Sequence, residues 1–117
     1  MKHLTKPFER ATRKAEHLNG GAGFVVIESL ISEEQKEEHC GLFAHVTIKA
    51  ECELGYHEHH GETETYYILN GKGIYNDNGK EVAVEAGDVL FCEDGEGHGL
   101  KNTGYADLDF VALIQKK

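Results

Sequence analysis

The stretch Glu64-Thr65-Tyr66-Tyr67-Ile68-Leu69-Asn70-Gly71-Lys72-Gly73-Ile74-Tyr75-Asn76-Asp77-Asn78-Gly79-Lys80-Glu81-Val82-Ala83-Val84 sets three short runs rich in aromatic and β-branched residues between glycine-bearing turns. Such runs form strands. Asn76-Asp77-Asn78-Gly79 is a hairpin signal, because Asn and Gly tolerate the positive φ that a tight β-turn requires. The same punctuation continues on both sides. Upstream lie Phe24–Ile27 and Leu42–Lys49; downstream lie Asp88–Cys92, His98–Asn102 and Asp107–Ile114. In the second of these, Leu42, Ala44, Val46 and Ile48 share one face by period-2 alternation, while Phe43 and His45 point the other way. In the last, Leu108, Phe110, Ala112 and Ile114 alternate with Asp109, Val111 and Leu113. Seven or eight short antiparallel strands predict an all-β sandwich or small barrel. The apolar residues left on the second face, Phe43, Val111 and Leu113, predict that a second copy covers it in a homodimer.

The chain has 117 residues, enough for one domain, with 14 glycines, one proline and no tryptophan. Lys and Arg number 12 against 21 Asp and Glu, a formal charge of −9. That surplus, with no basic stripe, excludes a nucleic-acid partner. Apolar runs such as Phe24–Ile27 and Val111–Ile114 fall far short of the ~20 residues that span a bilayer, so no membrane role is expected. Cys40, Cys52 and Cys92 lack paired metal-type spacing and suit a reducing, cytoplasmic setting. Residues 1–23 form an N-terminal arm that carries both arginines, Arg10 and Arg13, and ends in Asn19-Gly20-Gly21-Ala22-Gly23. Periodicity does not decide between helix and strand there, nor between a solvated arm and one packed on a partner subunit. Residues 24–117 form the β domain, and the acidic loop Ser32–Glu38 has room for a helical turn.

Three of the eight histidines crowd into Gly55-Tyr56-His57-Glu58-His59-His60-Gly61-Glu62-Thr63-Glu64. On a strand His57 and His59 project from one face and offer two imidazoles side by side, whereas His60 points away. A helical zinc-protease spacing fails, because the residue four after His57 is Gly61. The returning strand can bring Glu64 beside the pair, with Glu62 as the competing carboxylate nearer the turn. His98, between Gly97 and Gly99, is a fourth candidate. Three imidazoles and one carboxylate suit a divalent transition metal: Mn, Fe, Ni, Co or Zn.

The chain resembles the cupins, small double-stranded β-helix (jelly-roll) barrels with the motifs G(x)5HxH(x)3,4E(x)6G and G(x)5PxG(x)2H(x)3N. His57-x-His59, Glu64 and Gly71 fit the first. Gly87, Gly95, His98 and Asn102 fit the second, and fifteen residues, Lys72–Ala86, separate the two. The opening glycine falls at Glu51, with Gly55 nearby as an alternative for the turn, and the proline is Glu93. The resemblance implies a jelly-roll fold and a metal held by His57, His59, Glu64 and His98, with open positions for a small molecule.

The family spans many chemistries, so function must be read from the site. One reading is a small-molecule metalloenzyme of oxygenase, isomerase or lyase type, with Tyr66 or a mouth carboxylate moving protons. The other is a binding or sensing module without turnover. Ile68, Phe91, Leu100 and Phe110 are expected as apolar lining, Tyr75 as a further hydroxyl, and Cys92 as an alternative to Phe91 for the inward position. No arginine follows Gly20, and Arg10 and Arg13 reach the mouth only if the arm folds back or crosses to a neighbour. Glu93, Asp94 and Glu96 gather before His98. Together these features predict a neutral or cationic ligand over an anionic one.

Overall fold

The structure is a computed structural model that describes residues 2–117. Among the described residues, ten strands and one short α-helix follow in order, with 3-10 turns at Pro7–Glu9 and Leu18–Gly20: β1 (Thr12–Glu16), β2 (Phe24–Ser29), α1 (Glu33–Lys36), β3 (Cys40–Ile48), β4 (Glu53–Glu58), β5 (Glu62–Asn70), β6 (Lys72–Asp77), β7 (Lys80–Glu85), β8 (Val89–Cys92), β9 (Gly97–Asn102) and β10 (Leu108–Lys116). They build a six-stranded sheet, β1-β2-β3-β10-β5-β8, and a four-stranded sheet, β4-β9-β6-β7. Every pairing is antiparallel, as a jelly roll requires. No helix among the described residues is long and apolar enough to cross a membrane.

Alternation predicts the core well. Ala44, Val46 and Ile48 of β3 and Leu108, Phe110 and Ala112 of β10 are buried, and Leu54, Tyr75 and Leu100 meet them from the smaller sheet. The β6–β7 hairpin closes on Asn78-Gly79, both at positive φ (53° and 93°), with Asp77 paired to Lys80. The acidic loop does hold a helical turn, α1, whose N-cap Ser32 accepts from the Gln35 backbone N–H.

The arm resolves as strand. β1 adds to the edge of the larger sheet, with Arg13 opposite Ile27 and Ala15 opposite Val25. Only Ala15 of its five residues is buried. The turn after it, Leu18–Gly20, lies against β4, where a side chain on Gly55 would strike the Asn19 carbonyl oxygen. Gly55 therefore permits a close approach that docks the arm beside the histidine segment.

Both departures from the cupin motifs have a structural reading. Glu51 holds φ +68°, the left-handed conformation that favours glycine, in the turn closed by Cys52 N–H to the Lys49 carbonyl. That conformation costs about 1–2 kcal/mol for a residue with a Cβ. At Glu93 the backbone N–H donates to the Glu96 carboxylate (3.0 Å), and Glu96 N–H returns to the Glu93 carbonyl. Proline has no such donor, so hydrogen bonds here stiffen the loop that proline stiffens by fixing φ.

Candidate metal centre

A bulge aims the first ligand. Leu54 and His57 are three residues apart, so a regular strand would turn them to opposite faces. The β4–β9 register breaks between them, and both point inward while Tyr56 stays exposed. His57 then lies directly opposite His98 of β9. His59 follows the end of β4, where its backbone N–H donates to the Glu96 carbonyl and its own carbonyl accepts from Gly95 N–H. Glu64 enters from β5. The four residues predicted as ligands are thus brought together, with one donor atom from each lying within 4.8 Å of every other. His60 is exposed and faces Glu58.

The donor set fits a divalent ion. His57 Nδ1 donates to the Gly55 carbonyl (2.8 Å) and His59 Nδ1 to the Glu62 carboxylate (2.6 Å); both acceptors lack a proton, so the Nε2 lone pairs are free. His98 Nδ1 lies 2.8 Å from the Tyr75 hydroxyl. Such outer bonds fix ring orientation in metal sites. Glu64 Oε1 stands 2.8 Å from His59 Nε2, 2.9 Å from His98 Nε2 and 3.7 Å from His57 Nε2, and the His59 and His98 Nε2 atoms are 3.1 Å apart. Two donors each about 2.1 Å from one ion and at right angles would be about 3.0 Å apart.

Charge is distributed accordingly. Burial raises the Glu64 pKa, but the imidazoles of His57, His98 and His59 around the carboxylate outweigh it, leaving it at about 2. Burial opposes charge on His57 too, yet Glu64 raises its pKa; at His98 burial wins and lowers it. Glu64 is therefore an anion throughout the neutral range.

Tyr66 stacks on His98 with ring centroids 4.8 Å apart, and its hydroxyl lies 3.4 Å from His98 Nε2. It is 1% exposed, and burial, reinforced by Glu64, raises its pKa well above the usual phenol value. Phe91, expected in the lining, is instead 51% exposed on the outer face, because β8 turns Cys92 inward opposite Glu64. Burial pushes the Cys92 thiol up to about 11, so it is no thiolate at neutral pH and stands outside the four-residue cluster.

The cluster opens into a cavity of about 210 Å³, lined by His57, His59, Glu64 and Tyr66, by apolar residues that include Phe110, and by Arg13. This corrects the charge argument. The arm does fold back, within its own chain, and brings an arginine to the wall. Glu93, Asp94 and Glu96 do not line the cavity; Asp94 accepts from Gly61 N–H and Glu96 from Glu93 N–H, so two of the three brace the loop. The sequence admits Arg13 at the mouth only if the arm folds back, and offers Glu62 only as a rival ligand. Its position three residues after His59 was the available signal for its bond to that ring.

Comparison with known proteins agrees with this geometry. The sequence profile described as Cupin domain matches residues 44–114. An oxalate-binding protein of Thermotoga maritima is 42% identical over 111 residues, covering 95% of this chain and 92% of the relative. The crystal structure of a predicted oxalate decarboxylase from Thermotoga maritima is 38% identical, superposes with a TM-score of 0.92, and covers 97% of this chain and 99% of its own. The polyketide cyclase RemF of Streptomyces resistomycificus, 16% identical with a TM-score of 0.78 over all of this chain and 81% of its own, shares the fold alone.

Proposed function

The chain belongs to the cupin family, and on that basis we propose that it binds a small dicarboxylate of the oxalate class at a divalent transition metal held by His57, His59, Glu64 and His98. The observation that carries this reading is that His57 and His59 spend their Nδ1 atoms on a carbonyl and a carboxylate, so that their Nε2 atoms gather with the donor atoms of Glu64 and His98 at one point. When bound, the metal supplies open coordination positions for carboxylate oxygens. Tyr66, kept protonated by burial, donates a hydrogen bond beside them. The choice of anion rests on the relative named for oxalate and on Arg13 in the wall. It replaces the neutral or cationic ligand expected from the sequence, because the absence of barrel arginines is made good by the arm.

Binding is favoured over turnover. A general acid works best with a pKa near the operating pH. Tyr66 lies far above that range, Glu64 is committed as a ligand at about 2, and no mouth carboxylate lines the cavity. Titration calorimetry of Mn(II)-loaded protein should give one oxalate per chain, with the heat lost after chelator treatment. Equal binding without metal, or none with it, would overturn the reading, and formate released from oxalate would restore the catalytic one.

The outer face of the larger sheet supports a homodimer. Leu113 lies across from Phe43 and Thr65, and Val111 across from Tyr67, which in turn faces Val89. With Phe91 this makes a continuous apolar patch whose exposed members are Tyr67, Val89 and Phe91. Light scattering should report twice the 13.0 kDa chain mass, and Phe91→Glu should yield monomers. A wild-type monomer would refute it. The three free thiols suit a reducing compartment.

A further inference from the structure

Arg13 has a position in the cavity that the ligand set does not explain. β1 supplies it from the sheet edge, and alternation places it on the side of Ala15, the only buried residue of that strand, opposite the buried Ile27. Its neighbours are engaged elsewhere. Arg10 bonds Glu28 (3.0 Å) and Thr5, and Lys14 lies over the Phe24 ring, 4.3 Å from its centre. Arg13 makes no ion pair and no side-chain hydrogen bond among the described residues, in a chain that carries nine more acids than bases. It does not pair with Glu64 either, though both line the same cavity. An exposed arginine and the candidate metal-ligating cluster therefore line one small cavity with no ion pair between them.

Resting on the binding reading above, we propose that Arg13 is the specificity-determining residue, which receives the second negative charge of a dicarboxylate whose first carboxylate is held at the cluster. A planar guanidinium suits this, since it offers parallel N–H donors matched to a carboxylate. Arg13 is also the only permanent cation in the lining. The arm is thus the segment that distinguishes a dianion from a monoanion of the same shape, while β4, β5 and β9 supply the metal ligands.

The test compares oxalate with oxamate, its monoamide, in titrations of Mn(II)-loaded wild type, Arg13→Gln and Arg13→Lys. Arg13→Gln should weaken oxalate about tenfold, as expected for a charge-assisted bond near solvent, and oxamate less than about threefold. Arg13→Lys should recover part of the oxalate affinity, and metal content should stay unchanged. Equal losses for the two ligands, unchanged oxalate binding, or loss of metal in Arg13→Gln would each overturn the inference. If wild type binds no oxalate, the binding reading fails and takes this inference with it. If wild type binds and Arg13→Gln binds equally well, only the inference fails.

Discussion

Glu64→Gln protein is expected to fold and to hold Mn(II) at least about 100-fold more weakly than wild type. Removing an outer-sphere partner of a metal site already costs about 10- to 100-fold, and on the proposed ligand set Glu64 would contribute an inner oxygen and the only negative charge among the four ligands. Glutamine keeps the volume, so the loss reports charge and not packing. Metal content after dialysis checks it; retained stoichiometric metal would mean that the ligand set is wrong. The wild-type pH dependence follows from proton competition. Glu64 raises the His57 pKa above its ordinary 6.5, so a proton competes with the ion at Nε2 and metal affinity falls as pH drops through that range. In Glu64→Gln that competition moves to lower pH. The metal-free protein carries a further signature. Glu64 titrates at about 2 when folded against an ordinary 4.5, so its contribution is present above 4.5 and lost as pH falls towards 2. That slope, on the order of 3 kcal/mol, should vanish in the glutamine variant.

The second large effect concerns stability alone. Asn102 is buried, its Nδ2 donates to the Ile48 and Ala106 carbonyls (2.9 Å each), and its Oδ1 accepts from Gly104 N–H (2.8 Å). It joins β9 of one sheet to the end of β3 in the other and closes the loop into β10. Asn102→Ala leaves two carbonyls and one N–H without their partner. At about 1–3 kcal/mol for each stranded group, softened where water enters the exposed loop, the expected loss is about 3–4 kcal/mol. Urea unfolding should show a lower midpoint at an unchanged slope. A loss below about 1 kcal/mol would mean that water replaces all three bonds.

Where a residue's fate depends on alternation or on turn chemistry, it was legible in the sequence. Leu42–Lys49 and Asp107–Ile114 alternate because one face of each is core, and Asn78-Gly79 makes the hairpin because both residues accept positive φ. The four candidate ligands could be grouped because motif spacing survives in the sequence when register does not. What stayed hidden depends on irregular register or on edges. The Gly55–Tyr56 bulge changes which face His57 takes, and period-2 counting is blind to it. β1 reads Thr-Arg-Lys-Ala-Glu, with one buried residue in five, so no apolar period marks it as a strand. The sequence therefore leaves open whether the arm folds back, and the charge argument, which turns on Arg13, points to the wrong class of ligand. Alternation cannot choose between Phe91 and its neighbour Cys92 for the inward position, since either side chain is able to be buried.

The strand order of the larger sheet bears on how the molecule forms. β3 lies beside β10, so partners stand from 60 positions apart, Ile48 with Leu108, to 75, Cys40 with Gln115. Closing such loops takes chain entropy before any contact offsets it, which makes for slow folding. His57, His59 and Glu64 are near neighbours in sequence, but His98 reaches them only through the β4–β9 pairing, about forty residues on. The complete cradle thus requires the closed β4–β9 pairing, so a metal bound there is expected to slow unfolding and to leave the folding rate almost untouched.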